Sequence, residues 1–391
     1  MSHGKQLLRL FLAVYAVHCF SNLYFLFGPF YEGRGATPQA AGWFLSIFYV
    51  ATTLCRPLGS FALERLGVRK TLVGAAILCA AGSAGIALFL NSPPLLLAFR
   101  ALTGIGFSAF VVGAMAFQSL VIPPEVRGAS FALVTTGSMA PLATIVPLSD
   151  WLIQTGHPYL YLWSAPLLGT LCIVLGYLVE APDRAPAPKP VWGSYRDLMR
   201  LPGFPVLAFS SLFLALCDAT TICVASLARE RGVLVSSFMV ANAVAAVLVR
   251  TVGFRFMDRF PRTLLAAPAF GTMAAALLGM SFSSTNGAFL VWGLLFGLGI
   301  GVGFPTYLSL IGDLAPERLH PKGTAAVLLS IDVGWTLTPL LFGYLSPGLG
   351  VSGTFRFFAV AGGAAALLAH RFLWLPLYRR NRKAACLLPE D

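Results

Sequence analysis

The chain has 391 residues, 57% of them hydrophobic and 11% charged, with a mean hydropathy of +0.79. Soluble domains carry about 25% charged residues, so a water-soluble globule is excluded. The net charge of +12 would suggest a nucleic-acid partner in a soluble protein; here it needs another explanation.

A bilayer core demands about 20 apolar residues per helix. Twelve such segments follow one another, at about 7–30, 40–62, 71–91, 94–118, 128–152, 158–179, 204–227, 234–257, 264–284, 287–311, 323–346 and 354–377. Their apolar runs are continuous and lack the alternation of a barrel strand, so the chain reads as an all-α membrane protein. The first run is long and has no small-residue cleavage site, so it is predicted to remain as the first helix. With twelve crossings and both termini cytoplasmic, nineteen Lys and Arg residues fall on the inner side. Only Arg34, Arg229, Arg231 and Arg356 fall on the outer side. The positive-inside rule accounts for that asymmetry, so the basicity is topology and no nucleic acid is implied. The expected location is a bacterial-type inner (cytoplasmic) membrane. The seven cysteines show no metal-ligand spacing and read as packing residues.

The longest polar connection, "VEAPDRAPAPKPVWGSYRDLMRLPG", divides the helices into two sets of six. It predicts a first half at 1–180, a linker at 181–203 with a short helix near Trp192–Arg200, and a second half at 204–391. The halves repeat. Arg56, Gly59, Glu64 and Arg65 fall on Arg250, Gly253, Asp258 and Arg259, and Gly104-Ile105-Gly106 on Gly299-Ile300-Gly301. Two repeated six-helix halves are the architecture of a secondary transporter, with the substrate site near the midplane between them.

On these motifs the chain resembles the major facilitator superfamily over its whole length. The pattern Gly59-x4-Glu64-Arg65-x-Gly67-x-Arg69-Lys70 is similar to that family's signature loop, echoed by Gly253, Asp258, Arg259 and Arg262. Arg100 with Gly104 and Gly106 is similar to its second motif. Two positions depart from the pattern: Glu64 stands where Asp is usual, and the fifth helix carries Ala140-Pro141 in place of Gly-Pro. The resemblance implies twelve helices in two pseudo-symmetric bundles and a protein that works as a monomer. It also implies a conformational gate, in which Glu64 faces the start of helix eleven and Asp258 the start of helix five. An acidic group there would meet a positive helix N-terminus only while the inner side is closed.

Charged and polar groups within the helices are the functional candidates. Arg56 and Arg250 each lie about 12 Å by helical rise from the inner end. They are either structural anchors of the loops below or an attractor for anions at the cavity mouth. For Arg100 the resemblance implies proton transfer or the holding of an anionic group. Asp218 and Asp332 lie near the midplane and are candidates to take up a proton on one side and release it on the other; their bland alternative is a packing hydrogen bond. In helix one, His18 and Asn22 share a face, with Ser21 and Tyr24 nearby. His18 reads either as a packing group or as a proton relay. Gln118, Asn242 and Trp335 are further candidates to line the cavity. The glycine-rich stretch Gly293–Pro305 follows no strand and is helix-packing sequence, not a nucleotide site.

The function expected is secondary transport of a small organic solute by alternating access, as proton-coupled export (antiport). The alternative is a proton-coupled importer or facilitator of a small organic anion. No cofactor or metal is expected. An embedded enzyme would need a nucleophile and base at depth, and His18 with Asp218 does not supply them, so the chain is read as no enzyme.

Overall fold

A computed structural model describes residues 3–121, 127–179, 194–201, 203–253 and 260–385. Helices dominate, and no strand occurs among the described residues. Chain order gives α1 (His3–Leu23), α2 (Phe27–Glu32), α3 (Pro38–Leu88), α4 (Pro93–Val121), α5 (Arg127–Ala143), α6 (Ile145–Gln154) and α7 (Pro158–Leu178) in the first half. After the short α8 (Tyr195–Met199) come α9 (Phe204–Ala219), α10 (Val224–Arg231), α11 (Val235–Thr251), α12 (Arg262–Ser281), α13 (Asn286–Leu314), α14 (His320–Ala369) and α15 (Leu375–Ala385).

Nine described stretches are long and apolar enough to cross a bilayer. They agree with the predicted twelve once three features are recognised. Residues 322–380 hold two predicted spans in one stretch, α11 is shorter than the length threshold, and span five is broken. Both α3 and α14 are helix pairs bent at one residue. Gly67 (φ +77°) and Gly350 (φ +71°) take a left-handed conformation that only glycine adopts without strain. Span five, expected as one helix over 128–152, divides at Thr144, whose φ of −124° leaves the helical region three residues after Pro141. The proline lacks the donor that would continue the ladder. Span eight, expected to reach 257, ends its helix at Thr251.

Large apolar side chains such as Leu54, Leu167 and Leu367 face outward, as a lipid solvent requires. Inside, small residues let backbones meet. A Cβ on Gly104 would lie 2.4 Å from the Phe48 carbonyl oxygen, and one on Gly297 would lie 2.4 Å from that of Asn242. Likewise Gly106 abuts Ala75 and Cys79, as Gly299 abuts Ala269 and Met273. The repeat is therefore real, but its register corrects the sequence alignment. Gly104 and Gly106 correspond to Gly297 and Gly299, because the contact made by each glycine sets the equivalence, not the shared Gly-Ile-Gly tripeptide.

The linker helix α8 opens with a capping box in which Ser194 and Asp197 exchange side-chain-to-backbone bonds. Those bonds hold the exposed Asp197 carboxyl below the usual carboxylate range. The helix is shorter than expected, and Trp192 lies outside the described residues.

The halves meet closely on the face with few cations. Gly42 approaches the Pro339 carbonyl and Gly343 that of Pro38, and Trp43 Nε1 donates to Tyr344 Oη at 3.2 Å.

Candidate functional site

Residues from both halves converge at mid-depth. Arg56, on the first arm of α3, and Asp332, on α14, form an ion pair with Nη2 2.8 Å from Oδ1. The pair crosses between the halves. Its side chains keep 39% and 17% exposure, so the cation faces open space more than the acid does. Trp335 lies three residues beyond Asp332, on the same face of α14. Its ring packs against Tyr49 at 5.4 Å and Phe25 at 6.3 Å, both in the first half. The indole lies near the carboxyl of Asp218, which Arg250 approaches electrostatically from α11. Two acids and two arginines therefore gather about one aromatic-walled region.

Backbone breaks sit beside these groups. In span one, residues Tyr24–Leu26 form a 3₁₀ turn, and in span seven Thr220–Cys223 do the same, just after Asp218. Such turns mark hinges in otherwise regular helices. Nearby side chains satisfy the local carbonyls: Thr221 Oγ1 donates to Asp218 O at 2.7 Å, and Tyr161 Oη to Leu23 O at 3.2 Å.

Arg100 stands apart from the acids. It is 1% exposed and has no carboxylate within 4 Å among the described residues. Its guanidinium lies 4.2 Å from the Tyr24 ring, 4.2 Å from Phe48 and 5.0 Å from Phe44. Three ring faces thus hold the cation, while Nε and Nη1 and the Tyr24 hydroxyl find no hydrogen-bond partner. His18 Nδ1–H donates to the Val14 carbonyl oxygen at 2.8 Å, and the ring packs edge-on against Phe107. Asn22 is buried. Gln118 and Asn242 are buried too, each with one amide atom unpartnered, and no described contact joins them to the Arg56–Asp332 cluster.

The candidate gate is only partly described. Asp258 and Arg259 lie outside the described residues, as does the Glu64 side chain. Gly67 makes the bend, and Arg65 and Arg69 lie over the rings of Phe61 and Tyr177. Gly59 serves close packing, since its Cβ would meet Ala109 Cα at 3.1 Å. Gly253 lies in the turn after α11. Arg262 pairs at 3.3 Å with Asp313 inside its own half. Among the described residues, no three His, Cys, Asp or Glu side chains gather to hold a metal.

Sequence reasoning missed Tyr49 and Phe25. Tyr49 was findable: it precedes Arg56 by seven residues, two helical turns, and so shares its face. Phe25 carried no distinguishing signal among 31 phenylalanines.

This arrangement of two bundles around a midplane site has its counterpart in known proteins. The pattern of the Major Facilitator Superfamily matches residues 10–228 and again 207–385. The chain belongs to the Major Facilitator Superfamily. Members of this superfamily are membrane transporters of small molecules, not enzymes, and this chain is a multi-pass membrane protein of that kind. The xylose transporter XylE from E. coli in an inward-open conformation superposes with a TM-score of 0.76 at 16% identity, covering 95% of this chain and 96% of that one. A bacterial homologue of the human lysosomal transporter Spinster, inward-facing and unoccupied, gives 0.70 at 18% identity, covering 96% and 97%. The human organic anion transporter MFSD10 (TETRAN) gives 0.67 at 14% identity, covering 94% and 99%. At such identities the likeness is one of fold. No curated protein matches the chain.

Proposed function

We propose that this superfamily member is a proton-coupled exporter of a small organic solute. It works by alternating access as a monomer in the cytoplasmic membrane, with the basic face and both termini inside. Residues 1–180 and 204–391 form the two rocking bodies, and 181–203 links them. The observation that carries the reading is the ion pair between Arg56 and Asp332, because it ties the two halves and is made of a group that can take a proton. Protonating Asp332 removes the charge that holds Arg56, so the tie is released when a proton arrives and reforms when it leaves. Asp218, near the same tryptophan, is the second acid, and the adjacent 3₁₀ turns supply flexible points. Arg100, held by rings, stays charged and fixes the wall of the first half. The gate of Glu64, Asp258 and their neighbours biases the same equilibrium from the basic face.

Import or facilitated movement of a small organic anion is the second reading, favoured by the 39% exposure of the Arg56 side chain. The two are separated in everted membrane vesicles with an acidic interior, by following dequenching of a pH-sensitive dye. A panel of lipophilic cations, carboxylates and sugars is added in turn. Proton release by a panel member in wild type, lost in Asp332→Asn, is expected. Solute-driven proton release that persists in Asp332→Asn would remove that residue from coupling, and solute movement with no proton release would end the coupled reading.

A further inference from the structure

The face with few cations carries a cavity that the transport reading does not use. Its volume is about 570 Å³, within the range of small-ligand pockets. Both halves build it: the end of α2 and part of α6 form one side, and α10 with the start of α11 forms the other.

The fate of the four arginines on this face is uneven. Arg231 is absorbed by Ser352 at 2.7 Å, the Ser281 carbonyl at 3.0 Å and Glu230 at 3.7 Å. Arg356 lies 4.0 Å from the Phe282 ring and donates to Ser281 Oγ at 3.3 Å. Arg34 and Arg229, in contrast, both line the cavity. Arg229 gives one Nη1 proton to the Pro29 carbonyl at 2.6 Å, and its guanidinium lies against Gly33, where a Cβ would stand 3.2 Å from Nη1. The next residue is Arg34, which lies 4.9 Å over Phe30 and has no carboxylate within 4 Å among the described residues. Glu32 lies within electrostatic range of Arg229 but does not line the cavity.

Two guanidinium groups from opposite halves thus line one cavity, on the face that positive-inside sorting depletes of cations. Like charges there repel unless an anion lies between them, and paired arginines suit carboxylate or phosphate recognition. Asp150 and Gln154 add acceptors to the lining, and Phe30, Ile153 and Val233 add apolar surface. We infer that this cavity binds an amphiphilic organic anion. Its acid group lies on Arg34 and Arg229, its apolar body lies against Phe30 and Ile153, and a hydroxyl or amine donor faces Asp150. A ligand touching both halves favours the arrangement that brings them together, by whatever its affinity differs between arrangements. This site stands whether or not transport is coupled to protons.

The probe is radiolabelled salicylate, which carries a carboxylate, a hydroxyl and a ring, with the uncharged salicylamide as control. Binding is measured by scintillation proximity on the full chain in nanodiscs of neutral lipid, without any pH gradient. Saturable binding of salicylate and none of salicylamide is expected. Arg34→Gln and Arg229→Gln should each weaken binding about tenfold, the loss of one charge-assisted contact. Arg34→Lys should recover part of it, and Arg356→Gln, off the cavity, should leave it unchanged. No proton gradient is applied, so failure of this site is read apart from failure of proton coupling. Repeating the assay with phosphatidylglycerol in the nanodisc distinguishes the source of the anion: competition that vanishes in Arg34→Gln would assign the site to a lipid headgroup, and no competition to a soluble acid. Either outcome supports an anion site. Salicylate binding equal in wild type and in the Arg34→Gln, Arg229→Gln double variant, or no saturable binding of salicylate or lipid, would overturn it.

Discussion

Breaking the tie between Arg56 and Asp332 has a calculable effect on the balance of conformations. Unit charges about 4 Å apart attract by about 4 kcal/mol at an effective dielectric of 20. Arg56 keeps 39% exposure, so solvent screens much of that attraction, and removing both side chains from water offsets more of it. A net coupling of about 1–2 kcal/mol remains, equivalent to a population ratio of about 5–30. Since α3 and α14 are also clasped at Gly42 and Gly343, loss of the pair should depopulate the arrangement in which the cation-poor face is closed. The assay is electron–electron distance measurement between spin labels at Ala36 and Leu349, with Cys55 and Cys386 replaced by serine. Arg56→Gln, Asp332→Asn and the double variant form a cycle. Each single change should lengthen the mean distance by raising the long-distance fraction about 5–30-fold, and the double change should add little further. Additive single effects, or singles indistinguishable from wild type, would refute the idea that this pair ties the halves.

Other expectations follow from the packing. Arg100→Ala empties a space between Tyr24, Phe44 and Phe48 and should lower stability by about 3 kcal/mol, read as a drop in Tm in detergent; an unchanged Tm would mean that the rings do not depend on the cation. Gly104→Val and Gly297→Val should each cost about 1–3 kcal/mol, because both force a side chain against a carbonyl; tolerance of either would contradict the matched register. Trp335→Phe removes the indole N–H near Asp218 while keeping an aromatic ring beside Phe25 and Tyr49, so it should move the pH profile of transport with little change in Tm. A pH profile superimposable on wild type would detach Asp218 from Trp335.

How far the sequence foretold this molecule can be judged from particular residues. The spans were legible because lipid forces long apolar runs, whereas the turn of the chain at Gly350 shows only in its backbone angles. Arg56 and Asp332 each stood out as charges inside apolar helices, yet 276 positions separate them, and no spacing rule pairs groups across two bundles. The glycine repeat was misread by two residues, since what conserves a packing glycine is the carbonyl facing it, which the tripeptide does not reveal. Pro141 announced a bend in span five, but that the helix would part at Thr144 depended on the Tyr15 hydroxyl 2.8 Å from Thr144 Oγ1, a contact between distant spans. Arg34 and Arg229 were counted in the sequence only as topology. Their convergence belongs to the fold.

The central claim, that a proton on Asp332 switches the tie between the halves, is tested most directly by titrating the same spin-label distance with pH. In wild type the long-distance fraction should rise as pH falls, because an ionised carboxylate holds Arg56 and a protonated one does not. In Asp332→Asn it should be high and flat across the range. A wild-type distance that ignores pH, or an Asp332→Asn variant that follows pH as wild type does, would contradict the account.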